Sequence, residues 1–292
     1  MDVATEQLET RELRYFLAVA DELHIGRAAQ RLGIAQPPLS RAIQRLERRL
    51  GVALLDRNAR GVTLTPAGEV LLHEARAALD AVAAAARRTR RAGSRDPRLV
   101  LAMKPGGDAG LLPDILADYR TEPDSVEVEP LVCGIGEQAA VLRDGRADAA
   151  FLQLPYDDPA RLDYEELRTE GQVAVLPRDH ALADRPFLTL SNLDGQTMPR
   201  WPGAPADRGD GPLVRDSAQL FQLIALGRTV AVLPESAGDR VPGDLVAVPV
   251  LDAPSTTVVI AWPHQSRSRP LAAFVRTATT VAALSRGRTL QA

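Results

Sequence analysis

HIGRAAQRLGIAQPPLSRAIQRLERRLG, residues 24–51, holds two helical patterns joined by a three-residue turn. Ala28, Ala29 and Leu32 share one face of a short helix over Ile25–Leu32, and Gly33 supplies the left-handed residue that ends such a helix. After the turn Gly33-Ile34-Ala35, Pro37 falls in the first turn of a second helix, where a missing N–H costs nothing. Leu39, Ile43, Leu46 and Leu50 form its apolar stripe, and Gly51 ends it. At about 100° per residue, Arg41, Gln44 and Arg48 project from the pole opposite Leu39. Two helices on a tight turn, the second presenting Gln36, Ser40, Arg41 and Gln44 near its start, have the geometry that places a recognition helix in the major groove. There Arg pairs with guanine and Gln with adenine. Arg41, Arg45, Arg48 and Arg49 would equally suit a solvated helix face, so the flanking sequence has to decide.

Upstream, Leu13, Phe16, Leu17 and Ala20 recur at helical spacing behind Thr10, an acceptable N-cap. Downstream, Leu54-Leu55-Asp56-Arg57 and Val62-Thr63-Leu64 bracket a turn at Asn58–Gly61. This reads as a β-wing carrying Arg57 and Arg60. Thr65 and Pro66 then open an Ala-rich helix that runs to about Arg91. Its apolar positions Leu72, Ala75, Leu79, Val82 and Ala86 alternate spacings of three and four. That is the pattern of a dimerising seam, with packing onto the helix's own domain as the alternative. Gly93-Ser94-Arg95-Asp96-Pro97 breaks the helix and reads as a hinge.

With 292 residues and 45% hydrophobic content, the chain should form two or three globular units. Its net charge of −3 conceals an asymmetry: residues 1–92 hold 15 Arg against 11 acids, and residues 24–61 hold 8 Arg against 2. A basic footprint of that kind suits a phosphate backbone and makes nucleic acid a candidate partner of the N-terminal portion alone. Lys104 is the one lysine beside 34 arginines, a bias more in keeping with a GC-rich genome than with binding. No apolar run is long enough to span a bilayer and the acidic N-terminus is unlike a signal peptide, so a cytoplasmic protein without membrane contact is expected. One cysteine, Cys133, and four scattered histidines leave no basis for a disulfide or a metal site.

Residues 9–80 resemble the DNA-binding unit of LysR-type transcriptional regulators. Phe16, Val19-Ala20, Ala28-Ala29, Leu32, Gln36-Pro37, Ser40, Ile43, Leu46-Glu47, Leu50-Gly51, Leu54, Arg57 and Leu64-Thr65-Pro66-Ala67-Gly68 fall at that family's spacings without a gap. His24-Ile25-Gly26 and Leu55 depart from its usual residues. The resemblance implies a winged helix-turn-helix over 8–65, a linker and dimerisation helix over 66–92 and an effector-binding domain over 97–292. It further implies that Gln36, Pro37, Ser40 and Arg41 face bases or phosphates of double-stranded DNA, with Gln44 and Arg45 on the same surface. Arg27, Arg57 and Arg60 would contact the backbone.

From Leu99 onward, short apolar strands alternate with helices: Leu99–Met103, Leu111–Tyr119, Val126–Cys133, Glu137–Arg143 and Ala147–Leu154 read as a βαβαβ unit with a parallel sheet. Strands at Gly171–Leu176, Thr229–Leu233 and Thr256–Trp262, and helices at Ser217–Leu226 and Leu271–Leu284, follow. Ligands of such sheets bind beyond the carboxyl ends of the strands, so the segments after Met103, Cys133 and Leu152 are candidate cleft walls. Here the family resemblance implies a two-lobed α/β domain like a periplasmic binding protein, with lobes at about 97–165 plus 263–292 and about 166–262. Leu111-Leu112-Pro113, Gly145–Ala150 and Gly227–Pro234 carry it, while the stretch from Trp201 to Val214 is short for the family. Lys104, Gly106, Gly107, Gly134, Gln153, Arg200, Trp201 and Thr229 are the candidate effector residues. Lys104 would suit a carboxylate or phosphate, helped by the N–H groups of Gly106 and Gly107; a solvated loop lysine is the competing reading.

No nucleophile elbow, HExxH or P-loop supports a catalytic reading. Gly134-Ile135-Gly136-Glu137-Gln138-Ala139 fits a Gly-x-Gly-x-x-Ala dinucleotide fingerprint, but it follows the second strand of its unit instead of the first. Cys133 has no second cysteine to resolve a redox switch. The expectation is therefore a regulator without cofactor or catalytic residues, self-associating as a dimer or tetramer. It would bind an operator and a small effector, and RNA polymerase contact is compatible with that role.

Overall fold

The computed structural model describes residues 8–58, 61–94, 96–202, 210–264 and 266–289. The chain divides into two compact units, Met1–Thr89 and Arg90–Ala292. In the first, α1 (Thr10–Glu22), α2 (Ile25–Leu32) and α3 (Gln36–Leu50) are followed by the hairpin β1 (Leu55–Asn58) and β2 (Gly61–Leu64). Then comes α4 (Pro66–Ala92), inside which the division between units falls. Phe16, Val19, Leu39, Ile43, Leu46 and Leu54 are fully buried and form one core with Ala28 and Ala29. The expected turn, wing and long helix are all present. At the seam positions of α4, Leu72, Ala75 and Leu79 pack against this unit's own core, whereas Val82 and Ala86 are exposed.

The wing is fastened by two side chains. Glu47 of α3 accepts the backbone N–H groups of Leu54 (2.9 Å) and Leu55 (3.2 Å). The Thr65 hydroxyl donates to the Ala53 carbonyl at 2.8 Å and accepts from the Gly68 N–H at 3.0 Å, so one residue caps α4 and ties it to the strand before it. Leu23 ends α1 in a left-handed conformation, and its carbonyl accepts the Val62 N–H, pinning the second wing strand to the α1–α2 corner.

The second unit contains two sheets. The larger runs β4-β3-β5-β10-β6: β3 (Arg98–Met103), β4 (Glu127–Val132) and β5 (Ala149–Leu154) are mutually parallel, while β10 (Thr256–Pro263) runs antiparallel to β5 and to β6 (Leu162–Glu170). α5 (Leu112–Tyr119) and α9 (Arg269–Thr289) cover one face through Ile115, Tyr119 and Phe274. α6 (Gln138–Arg143) covers the other through Val141 and Leu142. The smaller sheet, β8-β7-β9, is antiparallel and consists of β7 (Gln172–Pro177), β8 (Ala231–Pro234) and β9 (Leu245–Val250). α7 (Ser217–Ala225) packs on it through Leu220 and Ile224, and the short helix α8 (Glu235–Gly238) follows β8.

The three strands of the expected βαβαβ unit are parallel, and β10 and β6 extend their sheet antiparallel along its far edge, where one expectation needs correction. Both of those strands also belong to the first lobe. The crossings between lobes therefore fall at 170–172 and 250–256, not at about 165 and 263. β6 is an edge strand whose Glu165 and Glu166 face solvent, so its charge masks the periodicity that marks a strand.

Candidate nucleic-acid interface and effector cleft

α3 owes its open face to its burial pattern. Leu39, Ala42, Ile43 and Leu46 are buried, which turns Gln36, Pro37, Arg41, Gln44, Arg45 and Arg48 to the surface and leaves Ser40 half-buried between. Its single acid, Glu47, is turned away and engaged by the wing backbone. The N-cap is Ala35, which offers no side chain to the first turn, and Pro37 and Pro38 have no N–H at all. With no capping side chain, the positive end of the helix dipole meets solvent without an internal anion, while the two prolines leave the first turn few N–H donors, so phosphates there would be held mainly by side chains. Arg49 behaves differently from the other α3 arginines: it pairs with Glu12 of α1 and is part of the scaffold. Its role was not visible in the sequence, because a wheel places Arg49 at the margin of the basic face.

Arg27 extends toward Glu22, whose carboxylate it meets at 3.5 Å and whose carbonyl it also bonds; Arg31 meets Asp21 at 3.2 Å. Arg27 is exposed, in an arrangement a phosphate would have to enter by competing with Glu22. α2 begins with His24, whose Nδ1 accepts the N–H groups of Gly26 (3.1 Å) and Arg27 (3.3 Å). The unusual His24-Ile25-Gly26 opening is therefore a functioning N-cap, with an imidazole in place of a hydroxyl. Arg57 lies on β1, and Arg60 lies outside the described residues.

In the second unit, the carboxyl ends of β3 and β5 stand side by side, bringing Lys104 next to Gln153 and Asp157. Burial holds the Lys104 ammonium below its ordinary range, opposed by the Asp157 carboxylate. The Lys104 ammonium has no hydrogen bond or ion pair among the described residues. The Gly107 N–H is occupied by the Lys104 carbonyl (3.0 Å), and the Gly134 N–H by the Glu137 carboxylate (2.9 Å), so neither is free for an anion. A carboxylate thus stands where a dinucleotide fingerprint needs a phosphate. Gln153 is 5% exposed, and its own N–H donates to Asp157 at 2.7 Å. Thr229 is buried with its hydroxyl donating to the Thr197 carbonyl at 2.8 Å, a structural use. Arg200 is exposed and donates through Nε to Gly211 (2.9 Å), while Trp201 packs at the edge of the second lobe's core; 203–209 lie outside the described residues. The Cys133 thiol is buried and pushed up by desolvation, the opposite of what a reactive thiolate needs.

The lobes meet around this region. The Ile135 N–H donates to the Arg215 carbonyl at 3.1 Å, and Asp108 meets Arg240. At the crossing, Glu170 accepts both the N–H and the hydroxyl of Ser236 (2.7 and 3.0 Å). Burial pushes this carboxyl up. Asp157, Glu170 and Arg240 went unremarked in the sequence because nothing in their local pattern sets them apart from surface charges.

Comparisons with known proteins agree with this arrangement. Residues 10–69 match the model of the bacterial regulatory helix-turn-helix protein, lysR family, and residues 92–283 match that of the LysR substrate binding domain. The chain is 32% identical over 285 residues to the Hca operon transcriptional activator HcaR of Escherichia coli, covering 92% of this chain and 96% of that one. It is also 32% identical over 270 residues to the transcriptional regulator BenM of Acinetobacter baylyi, covering 86% and 88%. Among solved structures, full-length BenM superposes with a TM-score of 0.52 at 29% identity, covering 95% of this chain and 98% of that chain.

Proposed function

The chain belongs to the LysR family of bacterial transcription regulators, and from that premise we propose how its two units divide the work. It is a DNA-binding regulator with an effector-binding domain, not an enzyme. α3 enters the major groove, with Gln36, Ser40, Arg41 and Gln44 at base edges and Pro37 and Arg45 along the phosphates. Arg27, Arg57 and Arg60 hold the backbone. The observation that carries this reading is the acid-free exposed row of α3 beside an uncapped helix start.

A dimer, assembled further into a tetramer, places two such helices about one turn of DNA apart on a partly palindromic operator. Lys104 receives an acidic group of a small effector bound between the lobes, supported by its desolvation and its lack of a protein partner. The effector shifts the lobes because it binds one arrangement better than the other, and that shift reaches the operator and RNA polymerase. The protein works in the cytoplasm; no described helix is long and apolar enough to cross a membrane.

The test is selection of genomic fragments on the purified protein. A recovered set sharing one interrupted palindrome, with half-sites about 10 base pairs apart, is expected. Fragments with no common sequence would refute the reading.

A further inference from the structure

Among the ion pairs of the described residues, Asp108–Arg240 is the one that joins the two lobes. Its geometry is lopsided. Both terminal nitrogens of Arg240 stand 3.3 Å from the same oxygen, Asp108 Oδ1, while Oδ2 accepts the N–H of Leu112 at the start of α5 (3.2 Å). A charge-assisted pair usually closes to about 2.7–2.9 Å and uses both oxygens of the fork. The Asp108 side chain is 6% exposed, whereas that of Arg240 is 42% exposed. The guanidinium therefore keeps room for a second planar acceptor on its open side.

Two cationic side chains also border one turn. A Cβ on Gly106 would lie 2.8 Å from Arg240 Nη1, and one on Gly107 would lie 2.8 Å from Lys104 Cγ. Gly106 thus leaves room for Arg240, from the second lobe, against the turn that follows Lys104, and Gly107 leaves room for the stem of Lys104 itself. Gly106 is additionally held at a φ of +77°, which a side chain rarely adopts.

We propose that Arg240 is the second lobe's anion-binding arm of the effector cleft, and that Asp108 is the resident carboxylate which an acidic group of the effector displaces from it. The inference rests on the reading of the cleft around Lys104 as the effector site. The ligand class is a small organic acid, bound by Lys104 on one lobe and by the Arg240 fork on the other. Once Arg240 is taken, Asp108 remains satisfied by the Leu112 N–H and by the positive end of α5. Effector binding then exchanges an interlobe contact made by the protein for one made through the ligand.

The test is calorimetric titration of the full-length protein with acetate, malonate, succinate and glutarate. Asp108→Asn, which removes the competing charge and keeps an oxygen for Leu112, is expected to bind at least one of these acids about tenfold more tightly than the unsubstituted chain. Adding Arg240→Gln to that variant should abolish the gain, and Arg240→Lys should retain part of it. No binding by either protein, or a gain that survives Arg240→Gln, overturns the proposal. So does lower thermal stability of Asp108→Asn with unchanged affinity, which would mark a merely structural pair. Lys104→Met separates the two readings: if it abolishes binding while Arg240→Gln does not, the cleft assignment stands and the role of Arg240 falls. If binding survives both, the cleft assignment falls too.

Discussion

Gly68, in the first turn of α4, lies so close to Leu54 that a Cβ there would stand 2.1 Å from the Leu54 carbonyl oxygen. The contact is with backbone that Glu47 and Thr65 already hold in place, so it has little freedom to give way. Gly68→Ala is expected to destabilise the DNA-binding unit by about 2 kcal/mol or more, since overpacking against fixed backbone forces displacement. Thermal denaturation followed by circular dichroism measures it, and an unchanged midpoint would show that α4 is free to slide.

The pair between Glu12 and Arg49 distinguishes scaffold from reading surface on the same helix. Its side chains are 14% and 25% exposed, and Arg49 Nε is buried without a partner. Glu12→Ala should cost about 2–3 kcal/mol, because it strands a largely buried guanidinium. Arg41→Ala, on the exposed face, should leave stability within about 0.5 kcal/mol. Chemical denaturation of both variants decides it; equal losses would contradict the division.

His24 offers a gentler test. Its Nδ1 accepts two N–H groups of the first turn of α2, so His24→Ala should cost about 1 kcal/mol and His24→Ser should recover most of it. If His24→Ser is as unstable as His24→Ala, the imidazole is there for packing instead of capping.

Lys104 gives a prediction in pH. Burial holds its ammonium below the ordinary value in the folded chain, so between that lowered value and the ordinary one the unfolded chain binds more protons and stability rises with pH. Below that window the whole cost of the buried charge is present. Lys104→Met should accordingly raise the melting temperature at neutral pH, flatten the alkaline rise and abolish the effector response. A lower melting temperature with the rise intact would show that the charge is well accommodated.

The tight turn, the apolar stripe of α3, the wing and the bounds of α4 were legible in the sequence because each rests on local chemistry. Gly33, Pro37, Gly51 and Thr65 act within a few residues of themselves. Strands β6 and β9 were not legible: β6 carries Asp163, Glu165 and Glu166 on an edge, and β9 carries Pro249 inside its short run, which argues against a strand. The exposed residues of α3 could be read from a helical wheel, whereas the cleft could not. Asp108 and Arg240 are 132 positions apart, and only the folded turn at Gly106 reveals that Arg240 reaches the loop that follows Lys104. For the same reason the N–H group of Gly107, which looked available in the sequence, turns out to be engaged.

The central claim is that α3 reads DNA. Fluorescence anisotropy on the DNA flanking the protein's own gene, across a salt series and with Arg41→Ala alongside, tests it most directly. The account predicts saturable binding that outcompetes random DNA by about a thousandfold or more and that Arg41→Ala weakens by about 1–3 kcal/mol. Weak binding that falls steeply with salt and is indifferent to both sequence and Arg41 would contradict it, reducing the arginines of α3 to a solvated surface.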